Sequence, residues 1–405
     1  MGAVNTYTVG SAAGRDYSTL TAWEAGRQAD LVTNDYVELA ELYNDSAFLN
    51  DSTALFGWTT GASNYIHIYA AFGERHAGVI NTGVKFTRSA DFTFNSFIQV
   101  RENYVRIEGC EFHPYNGVTA GKYGIYVYDQ DASNDVRIFN NLFYGDDDSL
   151  CEDAIYGGDA DLNITIYNNV IYRFRNAANK EGIYIDDANL AIIYNNTVYK
   201  CYDGIKSDPA TTLAINNAVF ECYNTDFSGN FAAASDYNCS SDATAPDNGN
   251  SLTNKTDTDN FTNVGAGTED FHCKGATADI YGTGDDLSSD VNFAFDTDYE
   301  WQYRIGDWEI GADQVSGYTT DMSNIVAQRF HSIHKNGLVL ITAECHFREI
   351  MSDVGDRITI DIGRPKEQFT KALVYEVSRH FLDRYRVTIK ALAGGFIEDE
   401  DEAWA

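Results

Sequence analysis

No stretch of this sequence is apolar for long enough to cross a membrane, and the opening Met1-Gly-Ala-Val-Asn-Thr-Tyr7 lacks a basic segment followed by an apolar one. Those two absences predict folding in a cytoplasm without classical secretion. Proline is scarce, at 4 of 405 residues. The seven cysteines (Cys110, Cys151, Cys201, Cys222, Cys239, Cys273, Cys345) show no C-x-x-C spacing. An odd, scattered set argues against a zinc ribbon or a disulfide framework and for reduced, mostly buried thiols. Positive charge is short as well, with 28 Lys and Arg against 61 Asp and Glu and a net charge of −33. A surface that acidic repels nucleic acid and anionic lipid, so neither is expected as a partner. G-x-S-x-G, P-loop, H-E-x-x-H and G-x-G-x-x-G are missing from any fitting context.

What the chain does have is a repeated phrase. Val105-Arg-Ile-Glu-Gly-Cys-Glu-Phe112 returns as Val136-Arg-Ile-Phe-Asn-Asn-Leu-Phe143, Ile164-Thr-Ile-Tyr-Asn-Asn-Val-Ile171 and Ala191-Ile-Ile-Tyr-Asn-Asn-Thr-Val198. Thr212-Leu-Ala-Ile-Asn-Asn-Ala-Val219 is a weaker copy, and the Asn-Asn pairs are spaced by 28, 27 and 21 residues. A second phrase keeps step: Gly124-Ile-Tyr126, Ala154-Ile-Tyr156, Gly182-Ile-Tyr184, Gly204-Ile-Lys206. Two phrases in register at a period in the twenties indicate a repeat architecture. The apolar/polar alternation rich in Ile, Val, Phe and Tyr is a strand pattern, and neither 3.6-residue periodicity nor a leucine ladder competes with it. Strands that return once per coil stack in parallel on their own copies. Asn-Asn then falls at a turn, where asparagine tolerates the left-handed conformation and its amide can bond to the amide one coil above.

The pattern resembles the right-handed parallel β-helix of pectate-lyase-like proteins and phage tailspikes. The expected fold is all-β, a right-handed parallel β-helix solenoid with an N-terminal cap and a small C-terminal β domain. Residues 1–50 read as the cap, with a short helix in which Thr21 and Glu24 have capping-box spacing and Leu20 and Trp23 face inward. Residues 51–316 read as the β-helix, irregular from 224 to 300, with Trp301-Gln-Tyr-Arg-Ile-Gly-Asp-Trp-Glu-Ile-Gly-Ala312 closing the stack. That Trp-x-Ile-Gly-Ala ending resembles the last coil of pectate-lyase-like proteins.

Residues 317–396 follow a different grammar. A helix is expected over 324–335, then strands at 338–347, 354–360, 373–377 and 386–390, as a small barrel-like domain. Val354-Gly-Asp-Arg-Ile-Thr-Ile360, Val374-Tyr-Glu-Val-Ser378 and Val387-Thr-Ile389 resemble a small barrel domain of tailed-phage tail and baseplate proteins. Residues 397–405 form an acidic tail.

The candidate site residues are carboxylates beside the second phrase. Asp129, Asp159, Asp187 and Asp208 follow it, and Asp153, Glu181 and Asp203 precede it. Stacked coils sit roughly 4.8 Å apart, so carboxylates in register need splayed side chains, raised pKa values or a bound cation. The resemblance implies Ca2+ as the ion, or paired carboxylates that hydrolyse glycosidic bonds. Solvated strand ends are the competing reading. Lys180, Lys206 and Arg173 are the basic residues nearest in sequence, and no catalytic set is assigned. Tyr126, Tyr156, Tyr184 and Tyr199 could stack sugar rings or simply pack. His331 and His334 are spaced as a metal pair would be, without a third ligand nearby.

The expected function is a structural protein of a tailed-phage virion, in the tail, baseplate or capsid surface. It would be assembled in the host cytoplasm as a homo-oligomer. Its C-terminal domain would dock to other virion proteins and its body would contact host glycans. A polysaccharide lyase or glycoside hydrolase, and an extracellular carbohydrate-binding adhesin, are the alternatives.

Overall fold

The computed structural model describes residues 3–315, apart from 90–93, 114–122, 132–133, 148–151, 176–179 and 305, and four strands beyond them. The chain divides into two compact units, Met1–Val315 and Ser316–Ala405.

Three parallel sheets build the first unit. The first, eight-stranded, stacks Ala3–Val9, Tyr36–Leu42, Ile66–Ala70, Val105–Glu108, Val136–Phe139, Asn163–Tyr167, Leu190–Tyr194 and Thr212–Ile215 in chain order. The second, seven-stranded, runs from Thr53–Leu55 through Ser96–Val100, Tyr123–Val127, Ile155–Gly158, Ile183–Asp187 and Asp203–Ser207 to Thr225–Gly229. The third, eight-stranded, begins at Phe48–Leu49 and Lys85–Thr87, takes in Glu111–His113, Leu142–Tyr144, Val170–Tyr172, Thr197–Tyr199 and Ala218–Phe220, and ends at Cys239–Ser240. Each strand pairs with its own copy one coil away, as in Val136↔Ile164, Ile125↔Ile155 and Leu142↔Val170. This is a parallel β-helix. Ile107, Ile138, Ile166 and Ile193 of the first sheet, Ile125, Ile155 and Ile183 of the second and Phe86, Phe112 and Phe143 of the third fill its interior. The three phenylalanines stack with centroids 5.2 and 4.8 Å apart.

Each repeated phrase therefore spans two strands and the corner between them, and the two asparagines divide the labour. The first takes the left-handed conformation: φ is 55° at Asn140, 54° at Asn168, 50° at Asn195 and 58° at Asn216. The second forms a buried ladder. Asn169 donates Nδ2 to Asn196 Oδ1 at 3.0 Å, and Asn196 donates likewise to Asn217 at 3.0 Å. Asn217 continues to Asn238 at 3.0 Å. That last rung escapes the Asn-Asn pattern because Tyr237, with φ 54°, holds the left-handed position before Asn238. The signal was the spacing, since Asn238 follows Asn217 by the same 21 residues that separate Asn217 from Asn196.

The first coil is covered by the helix Leu20–Arg27, with Leu20 and Trp23 buried and Trp23 stacked on Trp58 at 5.7 Å. Its N-cap is Thr19, not Thr21: Thr19 Oγ1 accepts from Ala22 N at 3.0 Å. Thr21 instead gives its hydroxyl to Asp51 Oδ1 at 2.5 Å, a partner 30 residues away that the local pattern does not show. At the other end, Phe231 and Ala245 pack on the core, and Ser240 N donates to Leu252 O at 2.9 Å.

The expectation that Trp301–Ala312 closes the stack is corrected. It belongs to a longer returning segment, residues 261–315, that runs back along the outside, over the asparagine corner. Asn216 Nδ2 donates to Asp285 O at 2.8 Å, Asn195 Nδ2 to Gly311 O at 3.0 Å and Asn168 Nδ2 to Thr297 O at 2.7 Å. Trp301 reaches Glu108, in an earlier coil. The physical reason is twofold. The first asparagine of each pair needs acceptors outside the stack, and the outward aromatics of two sheets need cover. Tyr167 and Tyr194 of the first sheet pack against Phe295 and its neighbours, and Tyr172 and Tyr199 of the third pack against Phe271.

In the second unit, Val339–His346, Arg386–Ala393, Phe369–His380 and Arg357–Ile360 form, in that order, one antiparallel four-stranded sheet. His346 and His380 both stand opposite Arg386 in register. The helix expected at 324–335, with His331 and His334, and the tail at 397–405 lie outside the described residues. Among the described cysteines, Cys110, Cys201, Cys222, Cys239 and Cys273 are all free thiols, buried except for the half-buried Cys222.

Candidate glycan-binding face on the second sheet

The returning segment leaves the second sheet's tyrosines open. Along its outer face, register places Gln99, Tyr126, Tyr156, Tyr184, Lys206 and Ser228 one above another. Tyr126 and Tyr156 have centroids 5.2 Å apart, and Tyr156 and Tyr184 5.4 Å. Tyr123 and Tyr128 widen the row, stacking on Tyr126 at 4.7 and 4.5 Å. The Lys206 ammonium lies 4.1 Å from the Tyr184 ring centre. All five tyrosines are half-buried. Tyr199, grouped with them by sequence, is on the third sheet and fully buried.

The seven carboxylates separate into two rows at opposite ends of these strands. Asp153, Glu181 and Asp203 lie at the strand starts and are buried. Asp153 and Glu181 share a side-chain hydrogen bond, and Glu181 N donates to Asp153 Oδ1 at 2.9 Å. Burial first, then that hydrogen bond and the Glu181 charge, push the Asp153 carboxyl well above the usual range. Lys206 Nζ closes the group, 3.2 Å from Glu181 Oε1. Asp203 takes Asn224 Nδ2 at 2.7 Å and Thr225 Oγ1 at 3.0 Å. The other row is more exposed. Asp129 receives Arg101 Nε at 3.0 Å, and Asp159 receives the backbone N–H groups of Gln130 and Asp161 at 3.1 and 3.0 Å. Asp187 and Asp208 are exposed.

Sequence reasoning missed Asp186, which completes this edge. Tyr156 OH donates to Asp186 Oδ2 at 2.8 Å, and the Tyr184 hydroxyl lies 3.0 Å from both Asp186 Oδ1 and Asp208 Oδ2. The signal was the doublet Asp186-Asp187 at a strand end, where a register shift against Gly157 and Gly158 turns both side chains outward. Of the three basic residues nearest in sequence, Lys206 joins this face, and Arg101, bonded to Asp129, lies 5.4 Å from the Tyr128 ring centre at its other end. Arg173 is bound by Asp147 and Glu269 on the third-sheet side, and Lys180 is buried. The result is a strip of phenol rings bordered by carboxylates, the Lys206 ammonium and the Arg101 guanidinium. Such a strip can stack pyranose rings and accept hydrogen bonds from their hydroxyls.

A family model described as right handed beta helix region matches residues 82–282. It agrees with the observed stack, and the fold is an all-β, right-handed parallel β-helix. No curated protein and no solved structure matches the chain.

Proposed function

We propose that this protein is a structural component of a tailed-phage particle whose β-helix body contacts host glycans through the outer face of the second sheet. The observation carrying the glycan half is the contrast among the three faces. Tyr167, Tyr194, Tyr172 and Tyr199 are buried under residues of the returning segment, whereas Tyr126, Tyr156 and Tyr184 stay half-open. The virion half rests on the likeness of Val354–Ile360, Val374–Ser378 and Val387–Ile389 to tail and baseplate modules. In this reading the second unit docks to other virion proteins and the chain assembles as a homo-oligomer.

The ligand class follows from charge. Asp186 and Asp208 border the rings, so a neutral or amino-bearing glycan fits directly. An acidic glycan needs a Ca2+ ion bridging it to those carboxylates.

A second reading has its own observation. Asp186 and Asp208 oxygens each lie 3.0 Å from the Tyr184 hydroxyl, hence no more than 6.0 Å from each other. That span includes the roughly 5–5.5 Å separation used by retaining glycosidases. The depolymerase reading therefore belongs to this pair. Asp153 and Glu181, buried and bonded to each other, leave no room for a sugar between them.

The test is joint. Purified particles are analysed by mass spectrometry, and the full-length protein is titrated with neutral, amino-bearing and, with Ca2+, acidic oligosaccharides. The reading expects on the order of tens of copies per particle. It also expects affinity to fall roughly tenfold or more in Tyr156→Ala and Tyr184→Ala, the scale of one aromatic contact. A chain present in lysate but missing from particles ends the virion reading. Product release lost in Asp186→Asn would establish the depolymerase instead.

A further inference from the structure

The returning segment contains a second cluster, formed by His272, Glu300 and Asp313, residues separated in sequence. We propose that His272, Glu300 and Asp313 form a binding site for a first-row divalent cation, Zn2+ or Mn2+, that fastens the segment. One ligand atom from each lies within 4.8 Å of the other two. His272 Nε2 is 3.4 Å from Glu300 Oε2. That is about the ligand-to-ligand edge of a tetrahedral zinc site with bonds near 2.1 Å. An imidazole nitrogen with carboxylate oxygens suits Zn2+ and Mn2+ better than Ca2+.

Three features around the cluster point the same way. The other imidazole nitrogen, His272 Nδ1, lies 2.5 Å from Asp270 Oδ1. This is the outer carboxylate that commonly orients a metal-bound histidine and fixes its tautomer. Asp313 is held in turn, its Oδ2 accepting from Cys273 N at 2.8 Å. The independent observation is Asp298. It is fully buried, and its Oδ2 has no hydrogen-bond partner, while Oδ1 accepts from Glu300 N at 2.9 Å and Gln302 N at 2.8 Å. A buried carboxyl oxygen with no partner, on a residue joined through its other oxygen to the Glu300 backbone, is costly unless a further group takes it. Arg304 is close, but its guanidinium is engaged by the Gly311 and Ala312 carbonyls at 3.0 and 2.8 Å.

Tyr299 is the internal competitor, because its hydroxyl lies 2.6 Å from His272 Nε2. A bound ion takes that nitrogen, and the phenol turns to another acceptor. Removing the hydroxyl should therefore leave affinity intact or raise it, which a purely hydrogen-bonded network would not predict.

The experiment uses full-length protein stripped with a chelator, dialysed against Zn2+ or Mn2+ and analysed by elemental mass spectrometry and thermal melting. Expected are about one tightly held equivalent, a higher melting temperature with the ion, and loss of both in His272→Gln. Asp270→Asn should weaken affinity about 10- to 100-fold, and Tyr299→Phe should keep or increase it. The double variant Asp186→Asn/Asp208→Asn controls for ions held loosely by the acidic surface and should retain the equivalent. The proposal is overturned if the wild type retains no ion, or if folded His272→Gln retains as much as the wild type. Should His272→Gln not fold, full affinity in Asp270→Asn overturns it.

Discussion

The indole Nε1 of Trp301 donates to Oε1 of Glu108 at 2.7 Å, joining residues 193 apart in the chain. Glu108 also takes His67 at 2.8 Å and Arg75 at 3.2 Å, and Arg75 lies flat on the Trp301 ring at 3.7 Å. Burial works to raise the Glu108 carboxyl, but Arg75, His67 and the indole together hold it down at about 2. This contact pins the returning segment to an early coil.

Trp301→Phe keeps an aromatic ring near Arg75 but removes the donor and part of the indole's buried volume. A hydrogen bond to a buried charge is worth about 1.5–3 kcal/mol. The variant should lose that much in chemical denaturation at pH 7, and protease should cut the 285–314 segment sooner. Because the Glu108 carboxyl is depressed, its contribution is present above the unfolded value and fades as pH falls toward 2. The difference between the two proteins should shrink in that direction.

The asparagine ladder predicts a position effect. Asn196 donates to Asn217 and to Ile166 O at 2.9 Å, and its own oxygen accepts from Asn169 N and Nδ2 at 3.0 Å each. Asn196→Ala therefore strands several buried groups at once and should cost about 2–4 kcal/mol. Asn163→Ala removes the exposed contact to Asn189 at 2.8 Å and should cost less than about 1 kcal/mol. Equal losses in urea titrations would show that the ladder is not cooperative.

What the sequence made legible was what repeats locally. Ile-x-Ile-Tyr-Asn-Asn announces a strand, a left-handed corner and a second strand, and each asparagine does what its chemistry allows. The returning segment was not legible. Its partners lie far off in sequence, 69 residues for Asn216 with Asp285 and 193 for Glu108 with Trp301, and no period links them. That one omission explains the errors at the site. Tyr126 and Tyr199 look alike in sequence, and only the segment's path decides that one is open and the other buried. The His272, Glu300 and Asp313 cluster was invisible for the same reason, since it is assembled from two stretches of that segment and its end.

Glu102, just before the strand that carries Glu108, sets a pH dependence of its own. It is buried under the N-terminal cap, where Trp58 N donates to its Oε1 at 2.7 Å. Burial, aided by Glu24 and Asp131 and opposed by backbone N–H groups, raises its carboxyl to about 7. The folded state therefore holds a proton that the unfolded state releases, so stability falls as pH rises from about 4.5 to 7 and is level above that. Glu102→Gln keeps an acceptor for Trp58 without the charge. Relative to the wild type it should gain on the order of 2–3 kcal/mol between pH 5 and pH 8, measured by denaturation at both. A parallel pair of curves would place the titration elsewhere.

Lys206 connects stability to the proposed binding face. Its ammonium is 3.2 Å from Glu181, whose side chain is only 2% exposed, and it caps the ring of Tyr184. Lys206→Met keeps the stem but leaves the Asp153–Glu181 pair without its cation. Breaking a buried pair from one side typically costs about 3–5 kcal/mol, and the Lys206 head is partly open, so the lower end is expected. Lys206→Arg should recover most of it. Tyr126 and Tyr156 do not touch Lys206 in this way, so a folded Lys206→Met protein should keep glycan contact at that end of the row and lose it at Tyr184. An oligosaccharide titration then separates the two roles. If Lys206→Met matches wild type in both stability and binding, the ammonium is a bystander and the row is held by the rings alone.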